Sequence, residues 1–584
     1  MFNKSFVITG EDFENRVNPI DFNEEDKTDA HLALLCGGWN VRTFENEKDA
    51  DHGRDVHILK CEVPSYGTYR VDVKVTPGNS DVKGLCLFTG RRNIVLFDEQ
   101  VKAGSSLLRS FYAAVYPYIP ALEANRYEAK DLFVSWTFKG ISRSDNYPRI
   151  EINIIEEKAP VIWVLGDSTL TDQNAPEPYY PFESCCGWAQ TLLRFSDKRA
   201  VYNLAHSGMT SECIRADGHY DILKEFISPG DTVVIQFGHN DQKRRRLSAF
   251  GGYSDNLKRF VQETRDFGAE PIICSPISRI PLGLTEDEAS LLKMDRHYSL
   301  LSSYAKACQN VCSVLEVPLV DLHRITFDKW IELGDKARDY FMPGDITHTN
   351  EYGALFIGNA FASECDFMNG CKSKEEVPAI PPSEKKVPKQ RLGKNVFMIE
   401  PPYLDIKDIP EREELVKAFR YGLLDPCVMY LHPYEEMERG RVLMVMCSAL
   451  HIPGVRPYLK RFADVYVDEW DSGFVQALIN EQLIDEKTIT RQGGAEMFRP
   501  DDSLTIGEFA SFLMRWHEKD IAKRNISIEE SIGRADKLGL FDKDILADRP
   551  VTRSEVYIAL VRYMDQDRRD NSGGGEIVEM HPVH

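Results

Sequence analysis

Five short apolar runs, separated by helical segments, constrain the fold of this chain more than any other feature. They lie at 161–165, 200–203, 232–237, 271–274 and 318–322, with helical patterns such as 256–267 and 299–314 between them. Runs this short are strand-length, and strands that alternate with helices pair in parallel under helices on both faces. The expectation is a three-layer α/β/α, flavodoxin-like domain over 158–372. Reactive groups of such open sheets sit at the carboxyl edge of the strands.

A chain of 584 residues is too long for one core, so flanking domains are expected. Residues 1–157 carry period-two runs at 68–75, 132–138 and 150–154, which predict an N-terminal β-sandwich, either carbohydrate-binding or structural. Its aromatic residues Trp39, Phe111, Tyr112, Tyr116 and Tyr118 are suited to stacking on sugars or to filling a core. Residues 373–395, with Pro378, Pro381, Pro382 and Pro388, read as a linker. From 396 to 566 a weak repeat recurs at roughly 45–60 residues, which predicts a mainly α-helical repeat domain. Residues 567–584, with Ser572-Gly573-Gly574-Gly575, read as a flexible tail.

Charge and cysteine content narrow the function classes. The net charge of −21 disfavours nucleic acid and anionic membrane surfaces as partners. Lys243-Arg244-Arg245-Arg246 is the one dense basic run, and it reads as a solvated loop or helix face, with a role near the cleft as the alternative because it follows the Gly238–Asp241 block directly. No apolar run has membrane-spanning length, and the first residues lack the apolar core of a secretory leader. A cytoplasmic location is therefore expected, with the cell surface as the alternative. The 13 cysteines fit no zinc spacing and read as small buried hydrophobes in a reducing compartment. No metal and no cofactor is expected, and a homodimer through a terminal domain is open.

Four separate segments converge on one chemistry. Gly166-Asp167-Ser168-Thr169 follows the first strand, Asn203 to Thr210 the second, and Gly238-His239-Asn240-Asp241 the third; Asp345-Ile346-Thr347-His348 comes last. A serine hydroxyl needs a base, and the base needs an orienting acid. Ser168 is the candidate nucleophile, His348 the base and Asp345 its partner. The backbone N–H groups of Ser168 and Gly208 and the side-chain amide of Asn240 are the candidate oxyanion donors. His239 is read as a substrate contact or a loop brace, Arg279 as a cleft-lining residue or a surface ion pair, and His206 has no assigned role.

These four blocks resemble the signatures of the SGNH, or GDSL, hydrolases. Within that superfamily, Gly-Asp-Ser-Thr, Gly-His-Asn-Asp and Asp-x-Thr-His-Thr look like the rhamnogalacturonan acetylesterase group of carbohydrate esterases. The resemblance spans 159–365 and implies a metal-free Ser-His-Asp esterase acting on acetylated sugar hydroxyls. Block two departs from that group, reading Ser207-Gly208-Met209-Thr210 where Gly-Gly-Arg-Ser is usual. The expected substrate is an acetylated plant polysaccharide or oligosaccharide of pectin, xylan or mannan type. A lipid or thioester hydrolase on the same fold is the alternative enzyme. A cell-wall-binding surface protein with a vestigial esterase domain is the non-enzymatic alternative.

The C-terminal segments Phe462-Ala463-Asp464-Val465, Phe498-Arg499-Pro500-Asp501 and Val551-Thr552-Arg553-Ser554-Glu555 resemble S-layer homology repeats. That resemblance implies wall-polysaccharide binding through an arginine, kept only in the last copy as Arg553, with Ile506 in the middle copy. A structural or dimerising role is the other reading.

Overall fold

Alternating side chains build the first part of the chain. The computed structural model of the protein describes residues 2–10, 34–41, 53–120, 125–141, 146–369, 377–382, 385, 401, 403–424, 428–484, 489–542 and 546–571. The strands β1 (Asn3–Ile8), β2 (Val56–Glu62), β3 (Gly67–Thr76), β4 (Val82–Thr89), β5 (Asn93–Val101), β6 (Leu107–Val115), β7 (Asp131–Thr137) and β8 (Arg149–Glu156) form two antiparallel sheets. Each has four strands, in the orders β1-β8-β3-β6 and β2-β7-β4-β5. In β3, Tyr69, Val71, Val73 and Val75 are buried, and Arg70, Asp72 and Lys74 point away from the core. Both sheets contribute side chains to one continuous buried cluster, Val71, Phe111 and Ile152 from one and Val56, Phe88 and Val134 from the other.

The aromatic residues of this region serve the core. Trp39 and Phe111 are fully buried and Tyr118 nearly so. Tyr116 packs against Trp163, Tyr202 and Phe226, and Tyr112 donates its hydroxyl hydrogen bond to Glu157. Trp39 and Phe111 therefore present no open face for a sugar to stack on.

The expected parallel sheet forms from β9 (Val161–Gly166), β10 (Ala200–Asn203), β11 (Thr232–Gln236), β12 (Glu270–Cys274) and β13 (Leu319–Val320). Its order is β10-β9-β11-β12-β13, with every pairing parallel. Every residue of β9 and of β11 is buried, which is why these runs are continuously apolar rather than alternating. Asp231 helps fix the central pair, accepting from the Val161 amide at 2.8 Å and from Trp163 Nε1 at 2.9 Å. The helices α1 (His219–Phe226), α2 (Ser254–Asp266), α3 (Ser302–Leu315), α4 (Leu322–Leu333) and α5 (Glu351–Ser363) connect the strands or follow them.

The chain divides into two compact units whose boundaries cross the sequence domains. One holds Met1–Gly238, Ser254–Pro281 and Ala305–Phe397; the other holds His239–Tyr253, Leu282–Tyr304 and Met398–His584. Two internal stretches of the 158–372 segment thus belong with the C-terminal region. The basic run lies in one of them. Arg245 is largely buried and pairs with Glu469 at 3.2 Å and Asp501 at 2.6 Å, so the solvated-face reading fails for this residue. The acids are local to its own unit, and nothing in the run itself signals them.

The second unit is helical and internally threefold. It contains α6 (Arg412–Arg420), α7 (Arg439–Ala449), α8 (Ser472–Asn480), α9 (Ile506–His517), α10 (Ile528–Lys537) and α11 (Arg553–Asn571). Three backbone bonds close a cycle: Met437 N–H donates to Val551 O at 3.1 Å, Val551 N–H to Leu504 O at 2.9 Å, and Leu504 N–H to Met437 O at 3.3 Å. A second cycle follows two residues on, with Arg439 donating to Asp502 O, Ile506 to Arg549 O and Arg553 to Glu435 O. Arg439, Ile506 and Arg553 are therefore equivalent positions, and an arginine stands in the first copy as well as the last. The two earlier copies also share a carboxylate clamp. Asp405 accepts from the Leu431 and His432 amides, and Asp464 accepts from the Phe498 and Arg499 amides. The last helix runs to Asn571, beyond the expected domain end at 566; the rest of the tail and most of the linker lie outside the described residues. Among the described helices, none is long and apolar enough to cross a membrane.

Candidate active site

The site starts at the end of β9, where the strand leaves the sheet. A Cβ on Gly166 would meet the Gln236 carbonyl at 2.7 Å, so only glycine lets β9 lie this close to β11 at its last residue. The Asp167 carboxylate then accepts from the Thr169 amide at 3.0 Å and the Thr169 hydroxyl at 2.7 Å. The Asp167 carbonyl accepts from the Leu170 and Thr171 amides. This local turn leaves Ser168 half-buried at the carboxyl edge of the sheet.

The partner groups arrive on a loop braced at both ends. The amide of Asp345 donates to Met342 O and the amide of Met342 to His348 O, both at 2.9 Å. Beyond the loop, Asn350 caps α5 through its side-chain oxygen, which accepts from the Tyr352 and Gly353 amides. Between these anchors, His348 Nδ1 lies 2.7 Å from Asp345 Oδ2, and His348 Nε2 lies 2.8 Å from Ser168 Oγ. Asp345 also accepts from the amides of Thr347 and His348. Burial alone would raise its carboxyl, but these hydrogen bonds and the imidazole hold it at about 2. An ionised Asp345 fixes the ring so that Nδ1 donates to the carboxylate and Nε2 accepts from the serine hydroxyl.

The structure thus brings Ser168, His348 and Asp345 into one hydrogen-bonded chain. Gly208 lies beyond the end of β10, the strand beside β9. It occupies a turn closed by the Met209 amide on His206 O, with φ +78°, a conformation that favours glycine. Asn240 and His239 fall in the other compact unit. There Lys243 Nζ donates to Asn240 Oδ1 at 3.1 Å, and Gln242 donates to the His239 carbonyl. Arg279 is buried, and its Nε donates to Thr347 Oγ1 at 3.0 Å, beside His348. The surface-ion-pair reading of Arg279 is therefore replaced by a buried brace on the loop that carries the imidazole. His206 is buried as well; its amide donates to Gly166 O and its ring packs at a tilt against His219, with centroids 5.0 Å apart.

Sequence reasoning missed Gln173. Its side-chain nitrogen donates to the Ser168 carbonyl at 2.7 Å and lies 3.5 Å from Ser207 Oγ, bridging the first two blocks. Glutamine at this position carries no motif, so no local signal marks it.

Residues 164–355 match the GDSL-like lipase/acylhydrolase family. A rhamnogalacturonan acetylesterase of Bacillus subtilis is 28% identical over 221 residues, covering 35% of this chain and 89% of its own. A probable rhamnogalacturonan acetylesterase of the same organism is 26% identical over 203 residues, covering 33% of this chain and 86% of its own. Among solved structures, an acetylxylan esterase from Geobacillus stearothermophilus aligns with 19% identity and a TM-score of 0.27, covering 37% of this chain and 97% of that one. The chain therefore carries a GDSL-like lipase/acylhydrolase domain within a longer, multi-domain polypeptide.

Proposed function

We propose that the protein is a serine esterase that removes O-acetyl groups from carbohydrates. One observation carries the reading: a serine, an imidazole and an ionised carboxylate stand in a continuous hydrogen-bonded chain at the carboxyl edge of a parallel sheet. Similarity to carbohydrate acetylesterases supports the substrate class.

In this reading Ser168 Oγ attacks the acetyl carbonyl while His348 Nε2 takes the hydroxyl proton. The carbonyl π electrons move to oxygen, and the backbone N–H groups of Ser168 and Gly208 and the amide of Asn240 stabilise that oxyanion. Collapse breaks the bond to the sugar oxygen, which leaves with the proton from His348. Water, deprotonated by the same ring, then attacks the acetyl-serine; the bond from the acyl carbon to Ser168 Oγ breaks, the imidazolium returns its proton to Oγ, and acetate leaves. Asp345 keeps the ring in the required tautomer and stabilises the imidazolium. The test is acetate release from acetylated xylan, mannan and pectin oligosaccharides by the full chain. Release that disappears in Ser168→Ala supports the proposal. Turnover confined to long-chain acyl esters counts against it and favours a lipid hydrolase.

For the C-terminal unit we propose three S-layer-homology-like repeats. The cyclic hydrogen bonding and the shared aspartate clamp support that reading. Arg439 is buried against Glu508, whereas Arg553 lines a cleft with Lys243, Arg246, Arg441 and Tyr430. Co-sedimentation with purified wall polysaccharide, compared between the parent chain and Arg553→Ala, tests whether that cleft holds glycan.

A further inference from the structure

A fully buried cation near the site comes from the N-terminal sheets. Arg92 sits in the β4–β5 hairpin turn with φ +66°, a left-handed conformation that arginine rarely adopts, and its side chain is fully buried. It is held in the interior of the same compact unit as the triad. Its Nη1 pairs with Glu351, which is also fully buried. Its Nε and Nη2 donate to the Gln173 carbonyl at 3.1 and 3.0 Å, and Nη2 also donates to the Cys185 carbonyl.

Both ends of this grip lead to the reacting groups. Gln173, whose backbone Arg92 holds, donates through its side chain to the Ser168 carbonyl. Glu351 is the first residue of α5, three residues after His348 in sequence, and the intervening Thr349 is pinned by Cys186 through both its carbonyl and its hydroxyl. The neighbours of Arg92 act on the same loops. Arg91 donates to the Asn203 carbonyl at 2.7 Å and pairs with Asp172 at 3.2 Å, and Asn93 donates to Asp172 at 3.0 Å. Asn203 in turn holds the Leu170 carbonyl and Asp172. Three consecutive hairpin residues thus fasten the serine loop, the end of β10 and the start of α5.

We propose that Arg92 is a positioning residue for the esterase reaction: planted by the N-terminal sheets, it sets the Gln173 loop and the head of α5 so that Ser168 and His348 meet. The N-terminal region on this view completes the active site rather than binding sugar. The proposal rests on the esterase reading above. A guanidinium suits the task because its planar fork serves a carboxylate and two carbonyls at once, which an ammonium cannot. Misplacement on the order of 1 Å between nucleophile and base costs about 100-fold in rate.

The experiment uses the full chain and p-nitrophenyl acetate, with active serines counted by a fluorophosphonate probe. Arg92→Lys keeps the charge opposite Glu351 and loses the fork. The expected result is a fall in kcat per titrated serine of about 10- to 100-fold, with KM within about twofold. Gln173→Leu should fall similarly, and the double variant should be no slower than the worse single variant, because both act on one loop. A purely structural Arg92 would instead lower the titratable fraction and leave kcat per serine intact, which overturns the proposal. If Arg92→Lys yields no titratable serine, Gln173→Leu decides: an unchanged kcat per serine overturns the proposal and a reduced one supports it. A parent chain that neither turns over esters nor reacts with the probe overturns the esterase reading and this inference together. An active parent with unaffected variants overturns this inference alone.

Discussion

Ser168 Oγ and His348 Nε2 lie 2.8 Å apart although 180 residues separate them in the chain. The parallel sheet places the serine and the capped start of α5 places the histidine. Replacing Ser168 by Ala removes the attacking atom and leaves the turn that presents it. Ester turnover should fall to background, with an unchanged far-ultraviolet circular dichroism spectrum. Substantial residual acetate release would move the nucleophile elsewhere.

Asp345 ties acid stability to the site. It sits at about 2 in the fold against an ordinary value of about 4 in an unfolded chain. The folded state therefore binds fewer protons than the unfolded state between these values. The resulting stability is complete above about pH 4 and is lost as the pH falls through about 2. Asp345→Asn should lower kcat by about 10,000-fold and flatten that part of the acid-denaturation curve. Urea titrations between pH 5 and pH 2 read the second effect, and equal acid sensitivity in parent and variant would contradict it.

The proposed oxyanion donors separate into backbone and side-chain cases. Asn240→Ala should lower kcat by about 100- to 1,000-fold with little change in unfolding midpoint, since one amide donor is lost. An unchanged kcat removes Asn240 from the mechanism.

Gly208 carries a backbone constraint as well. Its φ of +78° makes Gly208→Ala strained by about 1–2 kcal/mol, and the added methyl crowds the approach to the candidate N–H donor. Both denaturant midpoint and kcat should fall; a rise in the midpoint would show that the turn does not need glycine.

Arg245 makes a prediction for the second unit. It faces Glu469, Asp501 and the buried Asp471, and burial raises the Glu469 carboxyl to about 7 even with the guanidinium opposing the shift. Arg245→Met strips the cation and leaves clustered acids, which should cost about 3–5 kcal/mol. Differential scanning calorimetry should show a lowered transition, and part of the loss should return as the pH falls from 9 to about 7, where Glu469, freed of the guanidinium, takes up a proton.

The parallel strands and the Asp345–His348 pair were legible because their signals are local. Runs such as 161–165 and the Val233–Ile235 centre of 232–237 are apolar on both faces, as a sheet covered on both sides requires, and Asp345 reaches His348 within one turn. Gln173, Arg92 and Glu351 were illegible because their meaning lies in pairing across 81 to 259 positions, with no periodicity to announce it. Arg439 was missed for a related reason. The first repeat has drifted in sequence, and only the backbone cycle through Arg439, Ile506 and Arg553 aligns the copies. The reading of Trp39 and Phe111 as possible sugar platforms failed because composition does not tell a stacking ring from a packed one.

The two excursions at His239–Tyr253 and Leu282–Tyr304 make the chain harder to divide than its sequence suggests. A gene cut in the proline-rich stretch would separate Arg245 from Asp501 and Glu469, leaving an arginine without its counter-ions. A hydrolase segment expressed alone would therefore carry a largely buried guanidinium whose carboxylate partners are gone.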